Sequence, residues 1–226
     1  MYKDKFISGI ITAAGMGMRM EAGIPKLELK IFEKAIVDYT VEKFYKLEIF
    51  DEIILVASKD LVAEYEKRFS KFENLKVILG GNSREESTYL GLKALNEFSE
   101  IVVCHDGARP FVSDEVIIKS INSAIEKGSG VAGVKVKDTI KIVENNFVLS
   151  TPPRNNLYQI QTPQSFQREL IVSAYDKYFG KIPTTDDAGY LEAIGEKVYI
   201  VQGDYKNIKI TTPEDMIIAK AIMEAQ

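Results

Sequence analysis

The residues best able to do chemistry lie early in the chain, in Ala13-Ala14-Gly15-Met16-Gly17-Met18-Arg19-Met20, running on to Pro25-Lys26. Gly15 and Gly17 leave no side chain to block close approach of the backbone to a ligand. Successive backbone N–H groups in such a turn point into one concavity that holds phosphate oxygens. Arg19 and Lys26 place two positive charges on the same loop, which has no carboxylate before Glu21. Bare donors and two cations suit a polyphosphate. A Gly-x-Gly after a strand is also an ordinary tight turn, so the loop alone does not decide. It lacks the Gly-Lys-Ser/Thr ending of a P-loop, and methionine stands where a dinucleotide-binding turn needs its third glycine or alanine.

Further polar clusters recur along the chain. Gly80-Gly81-Asn82-Ser83-Arg84-Glu85-Glu86-Ser87 offers backbone to a planar ligand edge, with Ser83 or Ser87 free to bond a base or to cap a helix. In His105-Asp106-Gly107-Ala108-Arg109-Pro110, Asp106 is placed to hold a magnesium ion that bridges phosphates. Arg109 suits either a phosphate or a carboxylate, and the lone His105 reads as structural. Arg154-Asn155-Asn156 through Gln161-Thr162-Pro163-Gln164 mixes one cation with neutral hydrogen-bonding groups, a combination that fits a polyol phosphate or simply satisfies loop backbone. Thr184-Thr185-Asp186-Asp187-Ala188 reads as a capped helix start. Lys209, flanked by apolar residues, reads as lying near the end of a late strand.

The elements that must position these groups alternate. Apolar runs predict strands at Phe6–Thr12, Ile53–Ala57, Leu75–Leu79 and Ile101–Cys104. Helical spacing predicts helices over Ile36–Leu47, from an Asp60 cap to about Phe69, and over Ser83–Asn96. Such alternation argues a single three-layer α/β domain over 1–226 with a mostly parallel sheet, whose ligand crevice lies beyond the strand C-termini. Strands at Val131–Val136, Thr139–Val143 and Phe147–Leu149, with a turn at Glu144–Asn146, predict a protruding β-arm at about 137–153, and an arm of this kind packs on a second copy. Helices at Gln167–Phe179, Asp186–Ala193 and Pro213–Met223 and a strand at Val198–Val201 complete the chain.

Composition removes whole classes. With 226 residues, 46% hydrophobic and 27% charged, the chain fits one soluble core. A net charge of −4 argues against nucleic-acid binding. One cysteine excludes an internal disulfide and fits the cytoplasm; no signal core or membrane span is visible. One histidine and one cysteine exclude histidine-rich zinc sites and Cys–His nucleophile pairs, so any metal is held by oxygen.

The first loop with Pro25-Lys26 resembles the sugar-phosphate nucleotidyltransferases, which share a Rossmann-like fold. The ordered set of motifs, adding Lys137-Asp138-Thr139-Ile140-Lys141 and Asn207-Ile208-Lys209, resembles the 2-C-methyl-D-erythritol 4-phosphate cytidylyltransferase family over nearly the whole chain. The resemblance implies transfer of CMP from CTP to a polyol phosphate, with release of pyrophosphate and with magnesium, in a homodimer of the non-mevalonate isoprenoid route. It implies nucleotide contacts at Ala13, Ala14, Gly15, Gly17, Gly80, Gly81 and Ser87, and charge stabilisation by Arg19 and Lys26. Arg154 and Lys209 would position the acceptor phosphate, Arg154 acting from the arm of the other subunit. Asp106, Arg109, Thr139, Thr162 and Thr185 would contact substrate, with the metal at Asp106.

After Lys26 the family's Gln-Phe/Tyr-Leu and Gly-Lys-Pro pattern gives way to Leu27-Glu28-Leu29-Lys30-Ile31-Phe32-Glu33-Lys34-Ala35, and Asn82 replaces a common acidic residue. The competing readings are a ribitol-5-phosphate cytidylyltransferase and a nucleotide-binding protein without turnover. Gly107-Ala108 and Asp187-Ala188 favour methylerythritol phosphate over ribitol phosphate as acceptor.

Overall fold

The computed structural model describes residues 1–15 and 24–225. Its centre is a seven-stranded sheet built on β1 (Ile7–Ala13), which pairs in parallel with β4 (Glu52–Ala57) on one side and β6 (Ile101–Asp106) on the other. Beyond β4 lies β5 (Leu75–Leu79). Beyond β6 come β10 (Tyr158–Gln167), β7 (Ser129–Lys135) and β11 (Ile200–Gln202), giving the order β11-β7-β10-β6-β1-β4-β5. Among the described residues, β10 is the only strand of this sheet that runs antiparallel to its neighbours.

Alternation along the strands builds two apolar layers. Ile7, Ile11, Ile53, Leu55, Ile101 and Val103 face one side, packed with α1 (Ile36–Lys46), α2 (Val62–Arg68), α4 (Asp114–Lys127) and α7 (Pro213–Glu224). Ile10, Ile54, Val56, Val102 and Cys104 face the other, against α3 (Arg84–Lys93), α5 (Arg168–Tyr178) and α6 (Ala188–Ala193). Period-two strands carrying helices on both faces make the three layers. Gly91 lets α3 lie close to β1, since a Cβ there would stand 2.7 Å from Ile10 Cγ2.

Several sequence expectations need correction. The stretch 111–130 carries α4, an element the sequence reading left out, capped by Ser113 Oγ accepting from Val116 N–H at 3.3 Å. Tyr158–Gln167 is not a loop but a central strand, and Asp60 caps nothing: α2 starts after Leu61 with no side-chain cap. Lys209 lies on no strand. Its loop is stapled to the sheet by Ile210 N–H donating to Ala108 O at 2.9 Å and Asn207 Nδ2 donating to Thr162 O at 2.8 Å.

The divergent segment after Lys26 folds into one turn of 3-10 helix at Lys26–Glu28 and a minimal hairpin of β2 (Lys30–Ile31) and β3 (Lys34–Ala35). The arm forms as a hairpin of β8 (Ile142–Glu144) and β9 (Phe147–Ser150), shorter on its first side than expected. Asn145 and Asn146, with φ of 47° and 64°, supply the left-handed turn that a two-residue hairpin loop demands.

Candidate active site

The chain moves from β1 to β4 in one direction and from β6 to β7 in the other, so a crevice opens where β1 and β6 end side by side. Thr12 and Asp106 are paired across that point. The crevice forms a cavity of about 110 Å3, lined among the described residues by Thr12, Ala14, Gly15, Lys26, Arg84, Ser87, Asp106 and Lys209, with Leu27 and Ala108. Groups from distant parts of the chain thus meet in one cleft. Ala13, the last residue of β1, is buried and does not line the cleft. Gly17 and Arg19 lie outside the described residues.

One wall is Ser87, whose hydroxyl holds the backbone of Gly81; Gly80 and Gly81 do not themselves line the cleft. Gly81 N–H donates to Ser87 Oγ at 3.1 Å, and Ser87 Oγ–H donates to Ser83 O at 2.8 Å. Gly80 passes so near this wall that a Cβ would stand 2.5 Å from Ala14 Cβ and 2.9 Å from Ser87 Oγ. Ser83 caps α3, its Oγ accepting from Glu86 N–H at 3.0 Å, which settles its role as local.

The floor is a buried carboxylate ringed by cations. Asp106 Oδ1 accepts from Arg84 Nε at 2.8 Å, Oδ2 lies 2.9 Å from Lys209 Nζ, and Arg109 Nε stands 3.5 Å from Oδ2. Burial works against the Asp106 charge, but Arg84, Lys209 and Arg109 outweigh it and hold the carboxyl well below the usual carboxylate range. Arg109 is 12% exposed, and burial lowers its pKa. It reaches back to lock the neighbouring loop, Nη1 donating to Asn207 O at 2.9 Å.

Behind Asp106 sits a small relay. Asp106 N–H donates to Thr162 Oγ1 at 3.0 Å, and Thr162 Oγ1 lies 3.1 Å from His105 Nδ1. His105 Nε2 lies 3.2 Å from Arg109 O, which only accepts, so Nε2 carries the proton and Nδ1 takes the Thr162 hydroxyl hydrogen. Burial lowers the His105 pKa to about 4, so the ring is neutral. The Thr162 hydroxyl is therefore engaged within the fold.

The structure also shows a network that spacing alone does not reveal. Arg84 Nη1 and Nη2 donate to Asp187 Oδ1 and Oδ2 at 2.9 and 2.8 Å, and Tyr175 Oη donates to Asp187 Oδ1 at 2.6 Å. Burial opposes the Arg84 charge, but Asp187 and Asp106 raise its pKa above the ordinary value. The helix-start reading of 184–188 divides: Asp186 Oδ1 accepts from Gly189 N–H at 3.1 Å, while Asp187 turns inward. Arg84 and Asp187 lie too far apart in sequence for spacing to pair them.

Thr139, Arg154 and Thr185 are exposed and do not line this cleft. Arg154 lies at the base of the arm, Nη1 donating to Lys137 O at 2.8 Å. On the far side of Lys209 a second cavity of about 240 Å3 is lined by Arg109, Gln159, Gln161, Tyr205, Asn207 and Lys209.

The family model described as 2-C-methyl-D-erythritol 4-phosphate cytidylyltransferase matches residues 7–225. The chain belongs to this family. It is 44% identical to a protein of that name from Clostridioides difficile (strain 630), over 97% of this chain and 94% of that one. It is 42% identical to another from Caldanaerobacter subterraneus subsp. tengcongensis, over 96% and 98%. The fold resembles the crystal structure of a 4-diphosphocytidyl-2C-methyl-D-erythritol synthase from Anaerococcus prevotii DSM 20548, with a TM-score of 0.88 and 40% identity over 97% and 96% of the two chains. Membership in the cytidylyltransferase family accords with the α/β expectation, and among the described residues no helix is long and apolar enough to cross a membrane.

Proposed function

We propose that this chain transfers the cytidylyl group of CTP to 2-C-methyl-D-erythritol 4-phosphate, releasing pyrophosphate and 4-diphosphocytidyl-2-C-methyl-D-erythritol for isoprenoid synthesis in the cytoplasm. The observation that carries this reading is the meeting of Lys26, Lys209, Arg84 and Asp106 with bare Ala14–Gly15 backbone at the β1/β6 crevice. The acceptor phosphate, with a second pKa of about 6, is largely a dianion near neutral pH and needs no general base. Its oxygen forms a bond to the α-phosphorus of CTP. The bond from that phosphorus to the α–β bridging oxygen breaks, and its electron pair leaves on pyrophosphate. Such a reaction asks for alignment and charge stabilisation rather than proton transfer.

In this reading Lys26, with Arg19, stabilises charge on the α-phosphate, while Gly80, Gly81 and Ser87 hold the base. Lys209 borders both cavities, so it is suited to hold the acceptor phosphate between the nucleotide and a polyol in the amide-lined space beside Arg109. Among the described residues no group of three or more metal-ligating side chains exists. A lone carboxylate fits magnesium that arrives with phosphates, because this ion is commonly held by one or two carboxylates and phosphate oxygens. Asp106 would hold it, and the ion would neutralise triphosphate charge.

Thr139, Arg154 and Thr185 complete the acceptor site in this proposal, Thr139 and Arg154 from the arm of a second subunit. Exposed apolar side chains on the arm support that assignment: Ile142, Val143, Phe147, Val148 and Leu149 are open on a two-stranded hairpin. A hairpin of this size is marginal in water without a surface to lie on.

The deciding measurement is pyrophosphate release from CTP and magnesium with methylerythritol phosphate or ribitol 5-phosphate. Release with the first alone, falling by about a hundredfold or more in Lys26→Ala and in Lys209→Ala, is expected. Release with ribitol 5-phosphate alone would overturn the acceptor. CTP binding without release would leave a binding protein.

A further inference from the structure

We propose that Asp187 is a positioning residue for Asp106, acting through Arg84; the inference rests on the reaction proposed above. Asp187 is wholly buried at the head of α6 and lines neither cavity beside the site. Its two oxygens take both terminal nitrogens of Arg84 at 2.9 and 2.8 Å, and Tyr175 Oη fixes Oδ1 from α5 at 2.6 Å. A guanidinium held at two nitrogens by one carboxylate has its plane set, because the fork is rigid. The third nitrogen, Nε, then points in one direction, and Asp106 Oδ1 lies there at 2.8 Å. With Oδ1 held, Oδ2 is left to Lys209 at 2.9 Å and Arg109 at 3.5 Å.

Asp187 also balances charge. Arg84 lies between two carboxylates, so its charge is divided between them. Without Asp187, the guanidinium is free to turn its two terminal nitrogens onto Asp106, the only other carboxylate it touches among the described residues. That rearrangement would draw Asp106 from Lys209 and from any ligand in the cleft. A simple structural brace among α3, α5 and α6 would instead lower stability and leave the folded enzyme's turnover alone.

The test uses the full-length enzyme with Asp187→Asn, Arg84→Met and the double variant, assayed well below each melting temperature. Misplacement of a reacting-site group by remote change costs about ten- to a hundredfold, so kcat/KM for methylerythritol phosphate is expected to fall by that range in Asp187→Asn. CTP affinity measured by calorimetry without magnesium should stay within about twofold, since Ala14, Gly80 and Ser87 are untouched. The double variant should be no slower than Arg84→Met, because both changes break one chain of contacts. Multiplying losses, an equal loss of CTP affinity, or unchanged turnover with only a lower melting temperature would each overturn the inference. Should Asp187→Asn fail to fold, Tyr175→Phe decides: a smaller fall in kcat/KM at constant CTP affinity supports the inference, and wild-type kcat/KM overturns it. Wild-type protein that releases no pyrophosphate overturns the reaction and the inference together.

Discussion

His105, the chain's one histidine, shows how burial rather than residue type sets chemistry. It lies wholly inside, next to Asp106, with both ring nitrogens engaged, and it is absent from the cleft lining. Its folded pKa, lowered to about 4, stands below the unfolded value of about 6.5. The unfolded chain therefore binds a proton first. The histidine's contribution is fully present above pH 6.5 and is lost as pH falls toward 4, amounting to about 3 kcal/mol. Asp106, with its lowered pKa, adds a separate loss that begins as pH falls through the ordinary carboxylate pKa and continues below it. Urea denaturation of the wild type across pH 7 to 4 should show the first decline, and His105→Gln should flatten it while starting from lower stability. Equal slopes in the two proteins would show that carboxylates alone carry the pH dependence. Resonances of the single imidazole give an independent titration.

At the scale of elements, Lys26 is presented by a segment without the glycine and proline that the family resemblance leads one to expect, and buried apolar contacts and ion pairs hold it instead. Leu27 and Ile31 are buried, and Glu28 accepts from Tyr65 Oη at 2.7 Å and from Arg68 Nη2 at 2.7 Å and Nη1 at 3.1 Å. Arg68 also pairs with Asp38 and Glu64, tying the turn to α1 and α2. Losing hydrogen bonds to a charged partner costs about 1.5 to 3 kcal/mol, so Glu28→Ala should lower unfolding free energy by that order. It should also weaken CTP binding, because Lys26 begins the same turn. Unchanged CTP affinity would mean that Lys26 is positioned independently.

Elements with strong apolar runs, such as β1, β4, β5 and β6, were legible from sequence. The helix α4 also had its signal, in the Ser113 cap and the spacing of Val116, Ile117 and Ile121. By contrast, β10 buries Gln161, Thr162, Gln164 and Ser165 and becomes a strand because β6 and β7 flank it; tertiary pairing overrides propensity there. The cleft was legible as separate loops at strand ends, whereas the Arg84–Asp187 link joins residues that no local pattern connects.

At the scale of the whole molecule, the arm raises the question of what completes the site. Phe147 is 71% exposed, and Ile142, Val143, Val148 and Leu149 accompany it on a hairpin that its own chain leaves open. Thr139 and Arg154 sit at the arm's base, outside the cleft that Lys26 and Lys209 line. If a second copy covers the arm by two-fold symmetry, each cleft takes Lys26 from one subunit and Arg154 from the other. Two inactive variants should then complement. A mixed dimer of Lys26→Ala and Arg154→Ala has one cleft with both defects and one with neither. After unfolding and refolding an equal mixture, half the dimers are mixed and half their clefts intact, so about a quarter of wild-type pyrophosphate release should return. Size-exclusion chromatography with light scattering should show a dimer for the wild type, and polar substitution of Phe147 and Val148 should shift it toward monomer with loss of turnover. No complementation from mixed dimers of confirmed composition would place Arg154 with its own subunit's cleft, and a fully active monomer would remove the second subunit from the reaction altogether.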